Sequence, residues 1–567
     1  FPVRIPLADG SRTGPVEYRI DATMRLGFPL HSVFHVIPDD CLTGLDVNGA
    51  AVPVQRASQA SLCDWRNGLD IDLRGYVHPG YNKISMRVRN HNGPWGVQVR
   101  ASRNDTAIAV LNAVFLLSLI PYLIASMAAL GILRAHRWSF WAAAGLVVLG
   151  ALLRFAFIYL VHAPEDHVFS DMASYVDAAV QIVAGQRGPQ HLFHPIGYPL
   201  ALAASLWLTD GFSLAVLLQY LMSVATFLLT WRGSVWFLGE RRALLVLLVG
   251  ALHFPFIALS GFFMAETGFS FLLSLLFYLL ARRTFPWRPW YAFAIGAIYM
   301  AGAWLKGNNA MFGPVFIAWV ALGVWRNRAY LVPARWRSIA KASAAFTAGA
   351  CLVALVTAIS TYALFGHARI AASVGALNFI EGKCPDKINA DLGGSYWHSP
   401  LFVQLGEGGE KHWPAHFYDG AYFWKAGWGC IQRDPWVLVT SVRYVYYLFF
   451  DNQLWPVNAS DYAALNRWYG MFFSALLFPG MLVGLVLVSR KPYSGRTAAF
   501  LPLASVCLVS WLLKSELRYR VPFDVVIIPL SVMGWTWLVG AVRLVPGSAV
   551  ARFPRMARRS SDNAPSA

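Results

Sequence analysis

The chain is short of charge. Only 13% of its 567 residues are Asp, Glu, Lys or Arg, against about 25% in ordinary soluble domains, which is too little to solvate a water-soluble protein of this size. Acidic residues are scarcer than basic ones, 29 against 47, for a formal net charge of +18. A nucleic-acid-binding protein would gather that excess on one soluble surface. Here many Arg and Lys residues sit in short links between hydrophobic runs, where they act as topology signals, so nucleic acid is set aside as a partner. Also missing are a Gly-rich phosphate loop and a G-x-G-x-x-G-and-acid fingerprint in a strand-helix-strand setting, and no cytoplasmic link is large enough for a nucleotide-sugar fold. Cysteine is sparse, with six in the chain. Cys351 and Cys507 fall in hydrophobic runs, Cys41 and Cys63 share the N-terminal soluble region, and Cys384 and Cys430 share a later loop, so two disulfides on an oxidising face are expected. The sequence begins at Phe1 without an initiator Met, and an export signal or a further helix is expected ahead of it.

What is abundant is apolar: 57% of residues are hydrophobic and 15% aromatic. The fold class expected is a polytopic α-helical membrane protein with an N-terminal extracytoplasmic β-sandwich or jelly-roll domain. Residues 1–105 carry alternating β-type sequence at Val33–Ile37, Leu45–Val47 before the Asn48-Gly49 turn, Leu69–Leu73 and Lys83–Arg89. About eleven spans follow: Ala107–Leu133, Trp138–Val161, Phe212–Trp231, Ala243–Leu259, Phe262–Leu280, Trp290–Leu305, Phe312–Val324, Ile339–Leu364, Gly470–Val488, Ala498–Leu513 and Val521–Val542. The links rich in Arg, among them 134–137, 232–242, 282–288, 326–337 and 490–496, then all lie inside. This places the chain in the cytoplasmic (inner) membrane, with the β domain and the loop at 162–199 outside and the C-terminus cytoplasmic. Tyr198–Leu208 is too short to span, and Trp436–Phe450 carries Arg443 in its middle. Both are expected to be interfacial or re-entrant. The units expected are 1–105, a transmembrane core at 106–365, a large outer loop at 366–435 with Trp397, Trp413, Tyr418, Tyr422, Trp424 and Trp428 as interface anchors, a last helical part at 436–542, and a basic tail at 543–567 attracted to anionic lipid.

The stretch that organises the chain is His167–Pro199, a polar interruption carrying a carboxylate between long hydrophobic runs. A helix opened by Asp171 puts Tyr175 one turn on, with Ser174, Ala178, Ala179 and Ile182 continuing that face and Met172, Val176, Val180 and Val183 opposite, toward lipid. Gly185 breaks it, and His194-Pro195-Ile196-Gly197-Tyr198-Pro199 turns back into hydrophobic sequence.

Asp171-x-x-x-Tyr175 in the first outer loop, a short helix ending at Gly, and a Pro-containing return resemble the GT-C superfamily of polytopic glycosyltransferases, in particular the protein O-mannosyltransferases and the aminoarabinose transferases acting on lipid A. The resemblance runs from Trp138 to Leu538. The return turn departs from it, since those families often have paired prolines, sometimes preceded by Lys. At the other end, Arg518-Tyr519-Arg520-Val521-Pro522 resembles the RY-x-x-P sequence that starts the family's final helix, and Glu266 falls where the family often has an acidic residue. Gly80-Tyr81-Asn82-Lys83-Ile84 resembles the galactose-binding-like modules attached to carbohydrate enzymes.

The resemblance implies a catalytic role for Asp171 as the base of an inverting transfer. The expected substrates are a polyprenyl-phosphate-linked sugar donor and a lipid, glycan or protein acceptor, with membrane lipid around them. Charges gather at predicted outer ends, at Asp171, Glu266, Lys306, Glu516, Arg518 and Arg520, whereas ion-coupled transporters bury theirs near the midplane. Lys306, Arg518 and Arg520 are the candidate cations for the leaving phosphate. Arg154, two turns inside its span, is a candidate partner of Asp171 or phosphate. Tyr175 could orient Asp171 or the acceptor, and Glu266 could bind the acceptor or a divalent metal. No firm cofactor is expected, and Asp166, His167, His191 and His194 lack compact ligand spacing and read as loop residues. The alternative is a lipid or sugar transporter, or a membrane receptor whose β domain senses carbohydrate.

Overall fold

The structure is a computed structural model. It describes residues 16–101, less several short stretches, and 138–542, less 186–191, 210, 327–332, 385–403, 406–410, 413–418, 451–453, 458–461 and 491–495. The expected first span at 107–133, the tail at 543–567, His191, and Trp397, Trp413 and Tyr418 lie outside the described residues.

The N-terminal part is built of strands β1 (Val16–Leu26), β2 (Val33–Pro38), β3 (Cys41–Val47), β4 (Ala50–Val52), β5 (Leu69–Asp72), β6 (Gly80–Asn90) and β7 (Val97–Ala101). They form two sheets, ordered β1-β6-β3-β4 and β5-β2-β7. Alternate residues point inward, as a two-residue period requires: Leu45, Val47, Ile84, Met86 and Val88 from the first sheet meet Phe34, Val36, Leu69 and Ile71 from the second in one apolar core. The expected turn at Asn48-Gly49 joins β3 to β4, both residues having positive φ, 53° and 84°, the backbone a two-residue hairpin needs. Strand β1 was not expected, because Glu17, Arg19 and Asp21 on its exposed face dilute its hydrophobicity. Cys41 and Cys63 are disulfide-bonded. Asn82, in the stretch resembling a sugar-binding module, is turned inward. Its amide donates to the His78 carbonyl at 2.7 Å and its carbonyl accepts from the His78 N–H at 2.9 Å.

The rest of the described chain is helical apart from one antiparallel pair, Gln404–Leu405 with Lys411–His412. Among the described residues, six segments are long and apolar enough to cross a membrane: Trp141–Asp166, Ser213–Leu252, Gly307–Arg326, Pro333–Phe365, Ala464–Ser489 and Leu517–Gly540. Ser213–Leu252 is two helices, Ser213–Leu238 and Glu240–Leu252, which turn at Gly239 and pack against one another. Three stretches expected to span are shorter helices, Glu266–Arg282 and Pro289–Leu305 at 17 residues each and Leu501–Leu512 at 12. Seventeen residues of helix cover about 25 Å. Gly197–Thr209, of 13 residues, and the pair Val437–Thr440 and Val442–Phe450 are also short helices. Pro289–Leu305 and Pro333–Phe365 approach backbone to backbone: a Cβ on Gly296 would strike the Phe346 carbonyl, and one on Gly349 the Phe293 carbonyl. Small residues permit that approach where lipid offers no hydrophobic drive to association.

In the stretch expected as an outer loop, helices Val374–Lys383 and Gly420–Arg433 are joined by the Cys384–Cys430 disulfide and packed through Ala376, Leu377, Ile380 and Phe423. The segment Leu513–Glu516 then leads through the single turn Leu517–Arg520 into the final helix, Asp524–Val542. It brings this loop beside the starts of Asp171–Val183 and Glu266–Arg282.

Candidate active site

Asp171 opens the helix Asp171–Val183, and Gly185 follows its end with φ +70°. The residue before it, Ser170, has φ 50° and ψ −123°, a conformation that L side chains rarely adopt and that costs energy. The lipid face expected for this helix is corrected by the structure. Met172 and Val176 are buried with Tyr175 and Ala179, a spacing that forms a single inward stripe. Val180 and Val183 are exposed, at 50% and 48%. Tyr175 is buried with its ring 4.6 Å from that of His194 and 5.2 Å from that of Tyr198.

Four of the charged residues singled out in the sequence meet at one place. Arg518 Nη1 donates to Asp171 Oδ2 at 2.9 Å across 347 residues of sequence. The same guanidinium has its Nε 3.6 Å from Glu266 Oε1, and Lys306 Nζ bonds that oxygen. Glu266 is fully buried, and its second oxygen, Oε2, has no hydrogen-bond partner. Burial alone would raise the Asp171 pKa, but the Arg518 guanidinium leads the opposing charges and holds it below the ordinary carboxylate value. The pocket-raised carboxyl that burial suggests is therefore not what is found. Asp171 is an anion at neutral pH, with its side chain still 21% exposed.

Two of the expected residues lie elsewhere. Arg520 is fully buried in a separate network: its Nε lies 3.2 Å from Asp524 Oδ1, its Nη2 bonds the Tyr469 hydroxyl, and Asp524 Oδ2 also meets His253 Nε2 at 2.8 Å. A helical step of two residues turns about 200°, which separates Arg520 from Arg518. The pairing of Arg154 with Asp171 is not made either. Its guanidinium donates to Ser223 Oγ and to the carbonyls of Gly150, Gly250 and Ala251 at 2.9 to 3.0 Å, and it lies over the Phe227 ring. These acceptors hold it within the helix pack.

The site also contains groups to which the sequence reading gave no role. Arg518 lies over the Trp455 ring, 4.4 Å from its centroid, a contact with no sequence signal. His194, read as a loop histidine, is part of the surroundings of Asp171 and Tyr175, and burial depresses its pKa to about 4, so it is neutral. Glu516 Oε2 lies 3.6 Å from Arg518 Nη2, and Glu516 Oε1 lies 3.4 Å from Lys514 Nζ. Lys514 in turn pairs with Glu381 at 2.6 Å. Burial opposes the charge on Glu516, but Lys514 and Arg518 hold its pKa below the ordinary value.

Arg518 contacts both Asp171 and Glu266, at 2.9 and 3.6 Å. Among the described residues no three His, Cys, Asp or Glu side chains are grouped to hold a metal ion. The arrangement supports proton abstraction by a carboxylate beside fixed positive charge.

No family model matches the chain, and no curated protein is similar to it in sequence. Among solved structures it is similar to the oligosaccharyltransferase of Archaeoglobus fulgidus, in a crystal structure tethered to an acceptor peptide and in one with zinc and sulfate. Identity is 14% in both, with TM-scores of 0.42 and 0.41, over 71% and 70% of this chain. The chain spans about half the length of those structures, 50% and 49%. At such TM-scores the likeness carries no argument about activity.

Proposed function

We propose that the chain is a GT-C-type membrane glycosyltransferase that moves a sugar from a polyprenyl-phosphate carrier to a lipid, glycan or protein acceptor at the outer face of the cytoplasmic membrane. The observation that carries this reading is the Asp171–Arg518 contact, a carboxylate and a guanidinium 347 residues apart in an apolar chain, with Lys306 beside them.

In the proposed reaction, Asp171 takes the proton of the acceptor's hydroxyl or amine as that atom attacks the anomeric carbon. The bond from that carbon to the phosphate oxygen breaks, and the anomeric centre is inverted. One carboxylate suffices for a single displacement. The polyprenyl phosphate leaves with an added negative charge, which Arg518 and Lys306 stabilise from fixed positions. A donor phosphate beside Arg518 draws the guanidinium toward itself, which weakens its hold on Asp171 and raises the carboxylate's proton affinity where the base is needed. Tyr175, packed against His194, supports the helix that presents Asp171. The two-sheet region, proposed as an extracytoplasmic jelly-roll unit at 1–105, helps to present the acceptor, and the C-terminus is cytoplasmic.

The test compares lipid extracts by mass spectrometry from cells holding the parent chain or Asp171→Asn at equal abundance. A polyprenyl-phosphate sugar that accumulates in the variant while one glycosylated product disappears is the expected result, and the lipid names the donor. Unchanged lipids with the variant folded and the donor present would sink the transferase reading.

A further inference from the structure

Arg518 faces three carboxylates, and what decides among them lies outside the site itself. Its contact with Asp171 is 2.9 Å, while those with Glu266 and Glu516 are both 3.6 Å. Each rival carboxylate has a lysine: Lys306 on Glu266 and Lys514 on Glu516. Lys514 is 3% exposed and is held by Glu381, also 3% exposed, at 2.6 Å.

Three consecutive residues of the outer-loop helix grip the segment that leads to Arg518. Glu381 pairs with Lys514. Gly382 lies so close to the Leu513 carbonyl oxygen that any Cβ would collide with it. Lys383 Nζ donates to the Trp511 carbonyl and to Ser441 Oγ, each at 2.7 Å. The next residue, Cys384, is bonded to Cys430.

We infer that Glu381 and Lys514 are positioning residues: the outer-loop helix holds Lys514 on Glu516, and so leaves Arg518 to Asp171. This rests on the proposed glycosyl transfer for its catalytic meaning, but the coupling it asserts is a property of the folded chain. With Lys514 neutralised, Glu516, whose side chain is 25% exposed, is left with the Arg518 guanidinium at 3.6 Å as its cation, and it takes Arg518 away from Asp171. The segment is short and gripped by its neighbours, so the shift is a local one. A displacement of about 1 Å at a reacting group is enough to matter to rate.

The test is a thermal-unfolding cycle on the full chain in detergent: parent, Asp171→Asn, Lys514→Met and the double variant, repeated with Glu381→Gln in place of Lys514→Met in case the methionine chain does not fold. In the parent, Asp171→Asn removes a formed ion pair and lowers Tm. In the Lys514→Met or Glu381→Gln chain the same substitution is expected to lower Tm by less than half as much, because Arg518 has already left. An equal drop in all backgrounds overturns the inference, whether or not any sugar is transferred. With the donor identified, Lys514→Met should lower kcat on the order of tenfold and move the acidic limb of the pH–rate profile upward, with Lys514→Arg or an added Glu516→Gln restoring both. A lower kcat with the limb unmoved shows Lys514 to be merely structural. A turnover indifferent to Asp171→Asn overturns the transferase reading and leaves the Tm coupling to be judged by itself.

Discussion

Arg518 and Arg520 stand two residues apart and belong to different parts of the molecule. Arg520 is completely enclosed, beside Asp524 one turn on, with Tyr469 as a further partner and its guanidinium 3.6 Å from the Phe473 ring centroid. Arg518 remains 9% exposed and touches three carboxylates, two of them loosely. The enclosed arginine joins the final helix, through Asp524, to the helix Ala463–Phe472, through Tyr469. The other divides its charge among three carboxylates, Asp171 at 2.9 Å and Glu266 and Glu516 at 3.6 Å, beside an Asp171 side chain that is 21% exposed.

Breaking each arginine in turn should separate these roles. The largest effect is expected from Arg520→Leu, which leaves Asp524 buried beside His253 and Tyr469 without its guanidinium partner. The loss is about 3–5 kcal/mol, read as a lower denaturation midpoint and poor recovery of folded protein. Arg518→Gln should instead lower transfer on the order of 10²–10³-fold while the chain still folds, measured as single-turnover rate on the donor named by the lipid comparison. A variant pair with the two outcomes exchanged would contradict the division of labour.

The pH dependence sharpens the same contrast. Arg518 depresses the Asp171 pKa, so the stability from this pair is present above the unfolded carboxylate value of about 3.9 and is lost as pH falls through the lower folded one. The acidic limb of the kcat/KM profile, which reports the free enzyme, should accordingly lie below the ordinary carboxylate value. With Arg518→Gln the effect of burial prevails and the limb moves to higher pH. A conservative change at Arg520 that preserves the fold should leave it in place.

Some of this was legible in the sequence. The helix opened by Asp171, the Asn48-Gly49 hairpin and both cysteine pairs follow from local composition and spacing and are present in the structure, which also brings Asp171, Glu266, Lys306 and Arg518 together. The sequence grouped Arg518 with Arg520 because motif resemblance carries no helix phase, and the pair begins a short irregular turn from which the two side chains diverge. Arg154 was misjudged for a related reason. Carbonyls of Gly150, Gly250 and Ala251 satisfy it, and backbone acceptors brought together by packing have no residue-type signal. Lys514 and Glu381 are 133 residues apart by their numbering, and nothing in either neighbourhood announces the other.

The smallest expected effect concerns how Asp171 is presented, and two non-glycine residues with positive φ allow a controlled comparison: Ser170 at 50° and Asn48 at 53°. Asn48 has compensation for its backbone. Its amide donates to Tyr76 O and Asn82 Oδ1 at 2.9 Å, and its carbonyl accepts from Lys83 N–H at 2.8 Å. Ser170 makes no side-chain capping bond to the helix it precedes. Ser170→Gly therefore relieves strain at no cost in caps, offset by the larger entropy of an unfolded glycine, for a net gain of about 1 kcal/mol or less. Asn48→Gly relieves less and loses its hydrogen bonds, so Tm should fall. If Ser170→Gly stabilises the chain and slows transfer several-fold, the strained turn helps to aim the carboxylate at the acceptor, since a loosened backbone keeps the fold but not the angle. If it stabilises without slowing transfer, Arg518 alone fixes the position of Asp171.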